Sequence, residues 1–263
     1  MRLLHVQADG KISRTEDLQQ DIPHYAILSH TWGSEAQEIG FDDIGKDTAQ
    51  KKAGYRKIQF CQKQAARDGL LYFWIDTCCI KHDSDVELTR SINSMFRWYR
   101  NAEKCYVYLA DVTTKGDNTG AWEESFRRSR WFTRGWTLQE LIAPRVVDFF
   151  LSEGEFLGDK SSLEQQLHAI TKIPIAALRG LAPSKFSIDE RMSWSENRDT
   201  KVAEDKAYCL LGIFDIHMPL IYGEGKEHAC ARLRKDLAIM RRSSSSRTVL
   251  DWDPSLVLSV LAI

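Results

Sequence analysis

The sequence predicts an α/β fold: a parallel sheet with helices on both faces, followed by an α-helical appendage. Two observations carry this. Four short runs rich in β-branched and aromatic residues, at 25–29, 71–76, 105–110 and 146–151, are almost continuously apolar. That is the signature of strands buried on both faces. Between them the apolar residues change to helical spacing, and strand–helix alternation of this kind builds parallel sheets.

Taken in order, residues 1–21 form an N-terminal segment ahead of the first strand. Tyr55, Ile58, Cys61 and Ala65 then mark a helical stripe, closed by Asp68-Gly69 before the second strand. Leu88, Ile92, Met95, Phe96 and Tyr99 recur at i, i+4, i+7, i+8 and i+11, a second amphipathic helix. A third helix carries Trp136, Glu140 and Leu141 and stops before Pro144. These elements predict a flavodoxin-like core over 22–152. A helical extension follows over 153–240, with helices expected at 161–179, 201–214 and 227–240. Residues 241–263 open with Arg-Arg and four serines and read as a linker and tail.

Composition narrows the function. Of 263 residues, 43% are hydrophobic and 28% charged, ordinary for a globular protein. The net charge of −1 creates no global field toward nucleic acid or anionic lipid, so neither is an expected partner. No run approaches the ~20 apolar residues of a membrane span. Met1 to Ile12 is too short an apolar run for a signal peptide. The six cysteines sit inside apolar segments and read as buried thiols of a reducing compartment, which makes the cytoplasm the expected location.

Three motifs are informative together. Ile27-Leu-Ser-His-Thr-Trp-Gly33 and Trp74-Ile-Asp-Thr-Cys-Cys-Ile80 are strands running into polar turns, and Arg134-Gly-Trp-Thr-Leu-Gln-Glu-Leu-Ile-Ala-Pro144 is a helix start. In order and spacing they resemble the heterokaryon-incompatibility (HET) domain of fungal nonself recognition. Glu204-Asp-Lys-Ala-Tyr-Cys-Leu-Leu-Gly-Ile-Phe214 and Met218-Pro-Leu-Ile-Tyr-Gly-Glu-Gly225 resemble the extension that follows that domain. The similarity covers about residues 1–237 and is greatest to the N-terminal part of HET–NACHT–WD-repeat incompatibility proteins. Three departures stand out: Lys81-His82 where an acidic residue usually follows, Val202 where arginine is common, and a chain that stops where a NACHT module would begin. The segment Gly223-Glu-Gly-Lys226 lacks the upstream glycine of a phosphate-binding loop, and no G-x-G-x-x-G turn follows a strand.

HET domains are in turn similar to TIR domains, some of which cleave the nicotinamide–ribose bond of NAD⁺. The resemblance implies that Ser29 and His30 belong to a strand-end turn, and that Asp76 ends a strand before a mobile loop at 77–85. Trp136-Thr-Leu-Gln-Glu140 matches the W-x-x-x-E helix that carries the catalytic glutamate in those enzymes, which implies the same role for Glu140. The site residues it implies are Glu140 as catalyst and Ser29, His30, Trp32, Asp76 and Trp136 in substrate contact. NAD⁺ enters as substrate, with no cofactor and no metal expected. The resemblance also implies a cell-death effector that self-associates through TIR-like surfaces, with a NACHT/STAND-type regulator in trans.

The chemistry is consistent with one carboxylate. Trp136 and Glu140 are i and i+4, on one helix face, and the first two motifs end strands, where open α/β sheets bind ligands. Nicotinamide leaves as a neutral base, so no second carboxyl need protonate it, unlike the leaving oxygen of ordinary glycosidases. A charged Glu140 would face the developing oxocarbenium ion. As a helix-surface residue it should tolerate replacement by glutamine at little cost in stability.

Other readings compete. Glu140 could be a solvated helix residue, Asp76 a turn cap, His30 a turn-ordering side chain and Trp136 core. Cys78, Cys79 and His82 lack the Cys-x₂₋₄-Cys spacing of zinc sites, and nothing in the sequence activates either thiol. The Arg127-Arg128-Ser129-Arg130 run reads as a solvated face or as a steering patch for an anionic dinucleotide. The functional alternatives to an enzyme are a non-enzymatic signalling module and a truncated remnant lacking its regulator.

Overall fold

The computed structural model describes residues 1–114 and 122–247. Its centre is a seven-stranded sheet of β1 (Leu4–Val6), β2 (Ile12–Arg14), β3 (Tyr25–His30), β4 (Tyr72–Trp74), β5 (Lys104–Tyr108), β6 (Val147–Phe150) and β7 (Phe156–Asp159), in the order β2-β1-β4-β3-β5-β6-β7. The four predicted strands are its parallel core, β4-β3-β5-β6. That order is the doubly wound one, in which the chain moves to one side of the first core strand and then crosses to the other. The sheet reaches beyond 22–152 at both ends. A β1–β2 hairpin pairs antiparallel onto β4, and β7 pairs antiparallel onto β6, so the sheet is mixed at its edges.

The helices follow the expected alternation. α1 (Tyr55–Arg67) joins β3 to β4. A single turn, α2 (Asp76–Cys79), and α3 (Asp85–Asn101) join β4 to β5. α4 (Trp122–Arg128) and α5 (Thr137–Ile142) precede β6. Ser84 starts α3 by accepting the amide proton of Glu87 on its hydroxyl.

Period-2 alternation in the strands decides what covers each face. Phe150 and Tyr108 meet Phe60 of α1 on one side. Phe149 meets Phe126 and Trp131 on the other, where Tyr25 also donates to the Trp98 carbonyl of α3. With both faces covered, every residue of β3 is buried. A six-residue strand with this much covered surface is fixed rigidly, and its carboxyl end is the platform for the site.

The extension contributes short helices, α6 (Glu164–Thr171), α7 (Ile175–Leu178), α8 (Ile188–Ser193), α9 (Asp205–Tyr208) and α10 (Leu211–Phe214), and the long α11 (Lys226–Arg247). It packs on α3 through Gly212, where an added Cβ would come within 2.2 Å of the Phe96 Cβ. α11 runs seven residues past Met240 into the segment read as a linker; residues 248–263 of that tail lie outside the described residues. Among the described residues, no helix is long and apolar enough to cross a membrane.

Candidate functional site

Three chain segments converge at the carboxyl ends of β3 and β4. The first is the turn after β3, held by a buried ion pair. Lys57 of α1 reaches Glu38 and donates to the Thr31 carbonyl at 3.1 Å, while Glu38 accepts the Gly33 amide proton at 2.6 Å. Burial works against the Glu38 charge, but the His30 ring, Lys57 and the Gly33 amide outweigh it and hold its pKa below the ordinary value.

The second segment is the end of β4. Asp76 binds His30 Nε2 through Oδ1 at 3.1 Å and accepts the Trp32 indole proton on Oδ2 at 2.7 Å. Burial pushes its pKa up, but His30, His82 and the Trp32 proton more than offset this, leaving it below the ordinary carboxylate value. The stretch expected to be a mobile loop begins instead as α2: Thr77, Cys78 and Cys79 are buried within it. Only the turn beyond Ile80 opens toward solvent, where His82 meets the Trp32 ring edge-on with centroids 5.4 Å apart.

The third segment is α5, and it departs from the sequence reading. Glu140 is not on a helix surface; it is only 5% exposed, under the sheet. A donor chain fixes it: Trp131 Nε1–H donates to Ser29 Oγ at 2.8 Å, which turns the Ser29 hydroxyl proton onto Glu140 Oε2 at 2.5 Å. Burial is the largest influence on the carboxyl and the Asp76 charge adds to it. Ser29, Tyr99 and the buried Arg198 oppose them, and the result is a pKa pushed up to about 8. Glu140 is therefore mostly a neutral acid at pH 7.

Two buried cations from beyond β5 clamp α5. Arg198 Nη1 donates to the Arg134 carbonyl at 2.9 Å and to Thr137 Oγ1 at 2.8 Å, near the start of the helix. Lys160 donates to the Leu141 and Pro144 carbonyls at 3.3 and 2.6 Å, at its end. Neither makes an ion pair among the described residues. Burial accordingly lowers Arg198 to about 10 and Lys160 to about 8.

These segments enclose a cavity of about 350 Å³, at the small end of the ~300–1,000 Å³ typical of small-molecule sites. His30, Trp32, Asp76, Trp136 and Glu140 all line it. Ser29 does not: it is fully buried and meets the cavity lining through its hydrogen bond to Glu140. The cavity also has walls that sequence reasoning missed, namely Arg134, Thr137, Lys201, Asp205 and Tyr222. Asp205 accepts from Trp136 Nε1 at 3.0 Å and from the Tyr222 hydroxyl at 2.9 Å, which ties the W-x-x-x-E helix to the extension. No single-residue signal marks Asp205 or Tyr222 in the sequence, but both lie within the two downstream segments singled out by resemblance.

The cysteines stay out of the site. Cys78 donates to the Ile39 carbonyl at 3.3 Å, and burial pushes the Cys79 thiol up to about 12. Among the described residues, no group of three His, Cys, Asp or Glu is arranged to hold a metal. The basic run is a solvated face: Arg128 pairs with Glu124 one helical turn away, Arg130 pairs with Asp111, and neither lines the cavity.

The model of the family "Heterokaryon incompatibility protein (HET)" matches residues 25–121, from β3 past β5, which includes Ser29, His30, Trp32 and Asp76 but stops short of Glu140. The vegetative incompatibility protein HET-E-1 of Podospora anserina is 53% identical over 241 residues, which is 90% of this chain and 18% of that protein. The chain thus spans about a fifth of the length of the curated relative it matches. No solved structure matches it. With the strand-end turns at 27–33 and 74–80 inside the family match and more than half of the aligned residues identical to an incompatibility protein, this chain belongs to the HET domain family.

Proposed function

We propose that this chain is a cell-death effector of heterokaryon incompatibility that cleaves the nicotinamide–ribose bond of NAD⁺, with Glu140 as the catalytic residue. The observation carrying this reading is convergence. His30, Trp32, Asp76, Trp136 and Glu140, far apart in sequence, line one cavity at the carboxyl ends of parallel strands, where doubly wound sheets bind ligands.

The raised pKa of Glu140 suits this chemistry. The carboxyl is neutral because burial and the Asp76 charge outweigh the help of Ser29, Tyr99 and Arg198. The pyridinium of NAD⁺ is a cation, and its arrival favours the ionised form; the proton leaves as the substrate binds. The carboxylate then faces the growing positive charge on the ribose as nicotinamide departs, in a site with little water to screen it. Ser29, itself held by Trp131, keeps Oε2 oriented throughout.

The incompatibility role rests on the HET-E-1 relative, and the effector reading places a NACHT/STAND-type regulator in trans and self-association as the trigger. A non-enzymatic signalling module is the second reading. Tyr222 and Val202, 39% and 42% exposed on the cavity lining, favour it by offering apolar surface to a partner. Incubating purified chain with NAD⁺ and following nicotinamide release separates the two. The enzyme reading expects release from wild type and a loss of about 10²–10³ in Glu140→Gln. Absence of release from wild type, monomeric or forced to oligomerise, selects the signalling module.

A further inference from the structure

The charges around the cavity are unevenly committed. Of its three carboxyls, Asp76 is occupied by His30 and Trp32, Asp205 by Trp136 and Tyr222, and Glu140 by Ser29. Its two long cations are not. Arg134 and Lys201 both line the cavity, and among the described residues neither side chain makes an ion pair. The Lys201 ammonium has one hydrogen bond, at 3.3 Å to the Gly33 carbonyl on the facing turn.

The backbone brings these cations together. Residues 134 and 199 form a parallel β-bridge, with the Gly135 amide donating to the Asp199 carbonyl at 2.8 Å and the Asp199 amide donating to the Thr133 carbonyl at 2.6 Å. Close approach of the two segments requires Gly135, since a Cβ there would lie 2.6 Å from Thr200 Cγ2 and 3.1 Å from Cys209 Sγ. The extension therefore delivers Lys201 to the same cavity as Arg134, which lies two residues ahead of the W-x-x-x-E motif. Arg134 acts on the Asp205 carboxyl through its charge alone, and a planar guanidinium and a mobile ammonium that are not held in ion pairs fit a phosphate-bearing ligand.

Resting on the reaction proposed above, we infer that Arg134 and Lys201 form an anion clamp at the cavity that takes the diphosphate of the dinucleotide and so sets its nicotinamide ribose against Glu140. The cavity volume fits this division. About 350 Å³ encloses roughly one nucleotide's worth of ligand, so the bridging phosphates fall near its mouth. Trp32 and Tyr222, 38% and 39% exposed, flank the space outside with flat apolar rings for the second base.

The test is a calorimetric titration of the full chain with ADP-ribose, which keeps the diphosphate but lacks the scissile bond, beside adenosine and inorganic diphosphate. Wild type should bind ADP-ribose saturably, more weakly as salt rises, and more tightly than either fragment. Lys201→Met and Arg134→Met should each weaken ADP-ribose at least about tenfold while leaving adenosine unchanged; Lys201 is exposed, so its variant keeps the fold even where the other does not. Wild-type affinity in Lys201→Met, no saturable ADP-ribose binding, or equal affinity for inorganic diphosphate overturns the clamp. The two proposals fail separately. If Lys201→Met loses ADP-ribose but wild type leaves NAD⁺ intact, the clamp stands without the reaction. If NAD⁺ is cleaved with the same KM in wild type and Lys201→Met, the reaction stands without the clamp.

Discussion

Replacing Glu140 with glutamine probes the state of the buried carboxyl directly. Its pKa of about 8 lies well above the ordinary 4.5, so between those values the folded protein holds a proton that the unfolded chain has released. Stability from this group is complete below about pH 4.5, declines as pH rises and is lost above about pH 8. Carried across the whole interval, the linkage is worth up to roughly 5 kcal/mol. Glutamine mimics the neutral acid in size and can still accept from Ser29. At pH 5 the variant should therefore match wild type within about 1 kcal/mol. At pH 9 wild type bears the cost of a buried charge that its neighbours offset only in part, and the variant does not, so Glu140→Gln should be the more stable by several kcal/mol. Denaturant unfolding of both proteins at pH 5, 7 and 9 measures the difference. If the two curves of stability against pH run parallel, Glu140 does not titrate in this window, and the account of a neutral acid awaiting a cationic substrate is wrong.

Further expectations follow from the same geometry. The kcat/KM for NAD⁺ cleavage should rise about tenfold per pH unit below pH 8 as Glu140 ionises, and a profile flat from pH 6 to 8 would remove Glu140 as the titrating group. Ser29→Ala deletes a hydrogen bond that lowers the Glu140 pKa, so the rising limb of that profile should move to higher pH; an unmoved limb would mean that Ser29 does not act on the carboxyl. Gly212→Ala forces a Cβ into Phe96 and should cost about 1–3 kcal/mol in chemical denaturation, because the extension and α3 share one packed interface. Expression of the chain alone should be weakly toxic and its fusion to a forced oligomer strongly so; equal toxicity would argue against regulation by proximity.

The features legible in the sequence were those with long or repeated signals. The apolar runs that became β3, β4, β5 and β6, and the stripes of α1 and α3, declare themselves because both faces or one broad face are buried. The hairpin of β1 and β2 was harder to see: each strand is three residues long and only partly buried. Even so, Asp9-Gly10, with Gly10 at φ +83, is a turn signal that hairpins favour. α8 likewise announces itself through a capping box, Ser187 to Glu190, that short length conceals. At the site, i and i+4 spacing placed Trp136 and Glu140 on one face, but periodicity does not say whether that face meets solvent. Burial of Glu140 comes from the sheet above it and from Trp131 and Ser29, 102 residues apart. Arg134, Lys201, Asp205 and Tyr222 are brought together by the backbone bridge at 134 and 199 and by the extension folding back, and contacts over such distances leave no local pattern.

The central claim is that this cavity kills by consuming NAD⁺ through Glu140. Its most direct test is to follow cellular NAD⁺ and viability together after inducing the chain, fused to a forced oligomer, as wild type and as Glu140→Gln at matched abundance. The account predicts that NAD⁺ falls before viability in wild type, and that neither falls in the variant. Death at wild-type strength in Glu140→Gln with NAD⁺ intact would contradict it.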